Sequence, residues 1–319
     1  MKQPAPQLLR DHHCWFGVDS APRDRATTAW KRSARLHQAN WRESHEYPIG
    51  FQPYCGGTDA APVGSRLALE FAEEDGANFL TPGALAAVRW RLAHPEPGEM
   101  LSEDRLSADL LSSMPMCFNL FGDLFLDPAA ATHAAAALWP DAPKGRASVR
   151  FEYSPGRGDP EFLGNRSAFD AAFEINMASD GNAIVGIETK YHEHAATEKA
   201  PRDEKLARYV QVTEASGAFR EGWRDRLVGT ELQQIWLDHL LVLSMLQHKS
   251  DHPSERWPWG RFVLVYPAGN PSFGRATAEY RAVLRDTSTF ESRTIESLLA
   301  VPDAFDEAPV ASFRERYLF

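Results

Sequence analysis

Two short stretches separated by a turn constrain this chain more than anything else in it. Residues 168–176 (AFDAAFEIN) and 183–191 (AIVGIETKY) alternate in hydrophobicity and flank Ser179-Asp180-Gly181, a combination that predicts a β-hairpin. On the first stretch Phe169, Ala171, Phe173 and Ile175 are apolar; on the second, Val185 and Ile187 are, and Tyr191 is amphipathic. Side chains alternate along a strand, so these residues make a core face while Asp170, Glu174, Glu188, Lys190 and His192 turn the other way. The pattern requires odd positions to pair with odd. A three-residue loop with Gly181 in the left-handed region satisfies it by pairing Ala178 with Asn182, which sets Asp170 opposite Lys190 and diagonal to Glu188.

Two carboxylates and an ammonium this close suit phosphodiester hydrolysis. Oxygen ligands hold a hard cation such as Mg2+ (or Mn2+), and the cation polarises a phosphate and acidifies bound water. Neighbouring carboxylates keep Lys190 charged, so its role would be to offset charge developing in the transition state rather than to serve as a neutral base. The Asp…Glu-x-Lys spacing alone also fits a salt-bridged, solvated sheet face. What favours chemistry is its placement on consecutive strands in one register, preceded by a strand and followed by a helix.

The rest of the chain supplies the elements around that hairpin. Val149, Phe151 and Tyr153 alternate with Arg150 and Glu152 as in a strand, and Arg261 to Tyr266 reads as another, ended by Pro267. Helices are expected at about 82–91, 102–113, 129–138, 202–215, 231–248 and 276–284, the fifth apolar nearly all round and so buried. The Pro- and Gly-rich text from Tyr47 to Gly64 reads as a loop. Gly156-Arg157-Gly158 is a turn, since the Lys-Ser/Thr ending and helix of a phosphate loop are missing. Neither His192-Glu193-His194 nor Asp11-His12-His13-Cys14 has a compact metal-ligand spacing.

From Arg23 to Arg42 there are six basic residues and one acid. Trp30, Ala34, His37 and Trp41 recur at helical spacing, so a helix capped by Thr27 or Thr28 would bury those four and turn Arg32, Arg35 and Arg42 elsewhere. These three arginines are candidate nucleic-acid contacts, against the plainer reading of a solvated helix face. The whole chain carries 34 Lys and Arg against 44 Asp and Glu, a net charge of −10, which argues against coating DNA through bulk positive charge. A local basic groove remains compatible with that total. The odd, scattered Cys14, Cys55 and Cys117 suggest neither a disulfide framework nor a zinc pair. With no secretory signal and no long apolar run, a cytoplasmic protein without a membrane span is expected.

Residues 162–170 (FLGNRSAFD) and 186–193 (GIETKYHE) resemble the PD-(D/E)XK nuclease superfamily, in particular a bacterial group of nuclease-like proteins. Residues 64–67 (GSRL), 78–81 (NFLT), 112–121 (SSMPMCFNLF) and 262–267 (FVLVYP) extend the likeness over most of the chain. The resemblance implies an α/β fold of the restriction-endonuclease-like kind: a mixed central β-sheet in α-β-β-β-α-β order, flanked by helices. Here residues 101–319 would form the core and residues 1–100 a mostly helical N-terminal elaboration. It also implies Asp170 and Glu188 as metal ligands and Lys190 as their catalytic companion. Phe169 stands where the superfamily name has Pro. Many members add an acid from the helix before the first core strand, for which Glu103 is the candidate beside Asp104 and Asp109. Glutamines on a following helix approach the site in some members, which marks Gln233 and Gln234.

The function expected is metal-dependent hydrolysis of nucleic acid, DNA ahead of RNA, with defence, restriction or repair suggested by analogy. A catalytically silent nucleic-acid-binding or assembly module is the alternative. A glycosidase-like use of Asp170 and Glu188 is disfavoured because Lys190 opposes the raised pKa that an acid catalyst needs.

Overall fold

The computed structural model describes residues 3–20, 24–53, 60–99 and 101–319. Helices α1 (Pro6–Asp11) and α2 (Arg25–Ser44) lead into a hairpin of β1 (Ile49–Pro53) and β2 (Ala60–Leu67). Helices α3 (Leu69–Asp75), α4 (Pro82–Ala93), α5 (Glu103–Ala108), α6 (Ser113–Leu126) and α7 (Pro128–Leu138) follow. The main sheet then begins with β3 (Arg146–Tyr153), β4 (Phe169–Asn176) and β5 (Asn182–Thr189). After α8 (Asp203–Ser216), α9 (Trp223–Leu227) and α10 (Gln233–Gln247) it is completed by β6 (Trp259–Tyr266), α11 (Pro271–Val283) and β7 (Phe290–Thr294). Helices α12 (Ile295–Leu298) and α13 (Glu307–Tyr317) close the chain.

The five strands lie in the order β3-β4-β5-β6-β7, with β3, β4 and β5 antiparallel and β5, β6 and β7 parallel. This mixed sheet flanked by helices has the architecture expected of a restriction-endonuclease-like fold. Parallel crossovers place helices on both faces of a sheet, and the core divides accordingly. Ala171, Phe173, Ile175, Val185 and Ile187 pack with α4, α6 and α7 on one face. Ala172, Ile184, Phe262 and Leu264 pack with α8, α10 and α11 on the other. The expectation of one core face and one polar face is therefore corrected: β5 is buried along its whole length, and its charged residues sit at the end of a covered strand.

The hairpin keeps the expected parity but shifts the register by two. Asn176 pairs with Asn182, and residues 177–181 form the loop, with Ala178 at φ +58° and Gly181 at φ +99°. The Met177 N–H donates to the Gly181 carbonyl, closing a loop two residues longer than the short turn expected. Extending the ladder one step beyond the Ala171–Ile187 pair brings Asp170 opposite Glu188 rather than Lys190.

Three other expectations change. The 47–64 segment forms the β1–β2 hairpin instead of a loop, although its tip, with Cys55, lies outside the described residues, as does Arg23. The expected 102–113 helix is two helices, α5 and α6, broken at Asp109–Ser112. Asp24, not Thr27 or Thr28, caps α2 by accepting from Ala26 and Thr27 N–H groups. Cys14 and Cys117 are buried free thiols. Among the described residues no helix is long and apolar enough to cross a membrane.

Helix α2 reaches the end of β5. The Trp30 indole N–H donates to the Tyr191 carbonyl (3.3 Å), and Gln38 donates to the Tyr191 hydroxyl (2.9 Å) and the Arg316 carbonyl (2.6 Å). Tyr191, fully buried, is thereby pinned one residue past Lys190.

Candidate active site

The candidate site is built where β5 ends. Glu188 and Lys190 are two residues apart on one strand and so share a side. Their side chains meet directly, Lys190 Nζ donating to Glu188 Oε1 at 2.5 Å, with both residues buried. The Lys190 N–H donates to the Val265 carbonyl (2.8 Å), so the ladder to β6 still holds the backbone here. Asp170 on β4 accepts through Oδ2 from the N–H (2.8 Å) and hydroxyl (2.7 Å) of Thr189, the residue between Glu188 and Lys190. Gln234, in the first turn of α10, donates to Glu188 Oε1 at 3.3 Å. Among the described residues, Asp170 Oδ1 and Glu188 Oε2 hold no hydrogen bond.

Burial and charge set the protonation balance. Desolvation, reinforced by the neighbouring Asp170 charge, pushes Glu188 well above the usual carboxylate range, and Lys190 only partly offsets it. Asp170 is also raised by burial, against the stabilising charge of Lys190 and the Thr189 hydrogen bonds. For Lys190, burial favours the neutral amine, but the Glu188 and Asp170 carboxylates outweigh it and hold the ammonium above its ordinary range. Lys190 is thus a fixed cation among acids short of positive charge.

Two further acids share this field without having been singled out from the sequence. Asp238, one turn beyond Gln234 on α10, is raised to about 7 by burial and carries the influence of Lys190 and Asp170. Glu152 on β3 is raised to about 7 by burial and then by Asp170. It lies between the paired residues Phe151 and Tyr153 yet has φ +51°, a left-handed conformation that costs energy inside a strand. Asp238 has a faint sequence signal, as the one acid within the mostly apolar α10, at i+4 from Gln234. Glu152 reads only as the polar half of an alternating strand.

The remaining candidates are placed elsewhere. Arg35 donates to both Asp19 carboxylate oxygens (2.7 and 2.8 Å), and Arg32 donates to Asp19 Oδ1 (3.3 Å) and, through a short bond, to the Asp19 carbonyl. Arg42 donates to the Gly64 (2.9 Å) and Tyr47 (2.9 Å) carbonyls and to Glu43 (2.8 Å). All three are buried, so the expectation that they face solvent or phosphate is corrected: α2 packs on both sides, and its guanidinium groups satisfy internal carbonyls and one buried carboxylate. Glu103 is an exposed residue in the first turn of α5, whose neighbours are α3, β2 and α6 rather than β4 or β5. Its companions Asp104 and Asp109 are both paired with Arg66. Gln233 is also turned from the site, donating to Glu198 and the Lys199 carbonyl (both 3.0 Å).

Among the described residues no three His, Cys, Asp or Glu side chains are gathered into a ready ligand set. The donor chemistry nevertheless fits a hard divalent cation: two adjacent carboxylates, each with an uncommitted oxygen, in a buried setting that disfavours their bare charge. Such a cation would offset the burial that raises their pKa values. PD-(D/E)XK nucleases generally use divalent metals. A model of the PD-(D/E)XK nuclease superfamily matches residues 22–319, nearly the whole chain. Neither a curated protein nor a solved structure gives a significant match. With the motif acids and lysine grouped at the end of a covered strand in a mixed sheet, and the family match spanning that sheet, the chain belongs to the PD-(D/E)XK nuclease superfamily.

Proposed function

We propose that this protein hydrolyses phosphodiester bonds in DNA with a bound Mg2+ or Mn2+, using Asp170, Glu188 and Lys190. The observation that carries this reading is the 2.5 Å contact between Lys190 Nζ and Glu188 Oε1 with Asp170 tied to the intervening Thr189. Asp170 and Glu188 would hold the cation through Oδ1 and Oε2. When bound, the cation supplies Lewis-acid polarisation of the phosphate and a water of lowered pKa. Lys190 keeps its proton and stabilises negative charge as it develops on the phosphate oxygens. Thr189 fixes the Asp170 carboxylate, and Gln234 steadies Glu188. We also take residues 101–319 as the nuclease core and residues 1–100 as an elaboration docked on it.

The direct test incubates the full chain with plasmid, linear and single-stranded DNA, and with RNA, in Mg2+, Mn2+ or EDTA. Cleavage of DNA in either metal and none in EDTA is expected. Tight DNA binding with no cleavage in either metal would replace the proposal with a silent binding module. Preferred cleavage of RNA would correct the substrate.

A further inference from the structure

The segment that follows Lys190 contains a carboxylate that no step of the proposed reaction uses. Glu193 is half-buried, three residues past Lys190. Its Oε2 accepts from the Tyr191 N–H (2.7 Å), and its Oε1 accepts from the N–H (3.3 Å) and hydroxyl (2.9 Å) of Ser113, the first residue of α6. One carboxylate therefore ties the end of β5 to the start of a core helix. N–H groups in the first turn of a helix have no partner within it, so an acid supplied from outside satisfies one of them and meets the positive end of the helix dipole.

These bonds close a ring that includes Lys190. From Glu193 it runs to Ser113, whose carbonyl lies 3.3 Å from the Thr189 hydroxyl, then along the chain through Thr189 and Lys190 to the Tyr191 N–H, which returns to Glu193. Thr189 is also the residue that fixes Asp170, donating its N–H (2.8 Å) and hydroxyl (2.7 Å) to Oδ2. A hydroxyl has one proton to donate. Asp170 is the nearer acceptor and the Ser113 carbonyl the farther, so the place of Ser113 decides which of them Thr189 serves. Glu193 sets that place. On the other side the segment is held by Asn270, the buried cap of α11, whose amide donates to the carbonyls of Tyr191 (3.1 Å) and Glu193 (3.0 Å). Glu193 also acts on the charge at the strand end. Burial works against the Lys190 ammonium, and Glu188, Asp170 and then Glu193 restore it.

We infer that Glu193 is a positioning residue of the hydrolytic centre: by clamping the chain just past Lys190 to the start of α6, it keeps the Thr189 hydroxyl on Asp170 and so sets the carboxylate that faces the cation. Glu193 itself touches neither cation nor substrate. The inference rests on the nuclease reading of the site. It gives the acid of His192-Glu193-His194, which has no metal-ligand spacing, a task at one remove from the metal.

The test is a double-mutant cycle on the full chain, read first by calorimetric binding of Mn2+ without nucleic acid and then by DNA cleavage. Glu193→Ala should weaken Mn2+ binding about tenfold and lower kcat by about tenfold to a hundredfold, the scale of a small misplacement in an active site. KM for DNA should change little, because Glu193 does not contact the substrate. Glu193→Gln keeps one acceptor oxygen and should recover part of both losses; it takes the place of the alanine variant in the cycle if that variant does not fold. In a Thr189→Val background, where the hydroxyl is gone, the Glu193 substitution should cost no more than about threefold in Mn2+ affinity, since effects that pass through one shared group do not add. Equal losses in the two backgrounds would make Glu193 a staple of the fold alone and overturn the inference while leaving a nuclease. Parental Mn2+ affinity and kcat in both Glu193 variants would do the same. If the parent binds Mn2+ but cuts neither DNA nor RNA, the nuclease reading falls and the Mn2+ cycle alone decides the role of Glu193. A parent that binds no Mn2+ overturns both.

Discussion

Helix α2 and the end of β5 are both dense in charge, yet they treat it in opposite ways. On α2, Arg32 and Arg35 converge on Asp19, and Arg42 is absorbed by two backbone carbonyls and Glu43, so each cation has partners. At the end of β5 one ammonium serves Glu188, Asp170 and Asp238 together, and the acids respond with raised pKa values. Buried guanidinium groups bonded to a carboxylate and to backbone carbonyls tie segments of a fold together; buried carboxylates whose pKa values are raised are candidates for holding a cation. The contrast supports reading α2 as architecture and the strand end as the place of the proposed chemistry.

The largest effect that can break this contrast is on α2. Arg35→Ala should lower stability by about 3–5 kcal/mol, because Asp19 would keep a buried charge with weaker compensation. Cleavage per folded molecule, and its salt dependence, should not change. A shallower salt slope in chemical-denaturation-matched samples would return Arg35 to the nucleic-acid interface.

Lys190→Ala comes next. Turnover should fall about a hundredfold or more, the cost of losing one preorganised charge-stabilising group, while calorimetry still detects cation binding by the two carboxylates. Asp170→Ala should weaken both cation binding and turnover, since an oxygen ligand is lost. If Lys190→Ala cuts as fast as the parent, Lys190 is only an ion-pair partner.

The surplus of acid also has a pH signature. Asp238 and Glu152 have folded-state pKa values of about 7, above their ordinary values, so the folded protein binds protons more tightly than the unfolded chain between pH 4 and 7. Stability of the metal-free protein should therefore be fullest below about pH 4, as far as these two groups are concerned, and decline by several kcal/mol, about 7 if they titrate independently, as pH rises to 7. Urea titrations across that range should show the decline in EDTA, a smaller one for Asp238→Asn, and recovery at pH 7 with Mg2+. A flat profile would mean that the acids are already compensated.

Gln234→Ala should have the smallest effect. One neutral donor to a carboxylate is lost, which predicts a threefold to tenfold fall in kcat at about 0.5–1.5 kcal/mol. Gln233→Ala should leave kcat alone, since Gln233 holds the 198–199 loop.

What the sequence by itself determined was local. Alternation at period two produces β3, β4 and β5, and period 3.6 produces α4, α7, α8 and α10, because these patterns depend on neighbours two to four residues away. The same alternation dictated that odd pairs with odd in the β4–β5 hairpin, and with it the joint presence of Asp170, Glu188 and Lys190 at one strand end. Tertiary structure decided what depends on distant partners. The 177–181 loop moved Asp170 from Lys190 to Glu188, a slip of two that parity permits. Packing of α2 between β2 and α13 turned three arginines inward, and Asp19, lying 13 and 16 residues away from Arg32 and Arg35, drew two of them. Whether Gln233 or Gln234 faces Glu188 depends on the rotation of α10 against the sheet, which a helix apolar nearly all round leaves open. Glu152 and Asp238 enter the field of the site only because the sheet and α10 close around it, burying acids whose chain neighbours carry no sign of the charge they will meet.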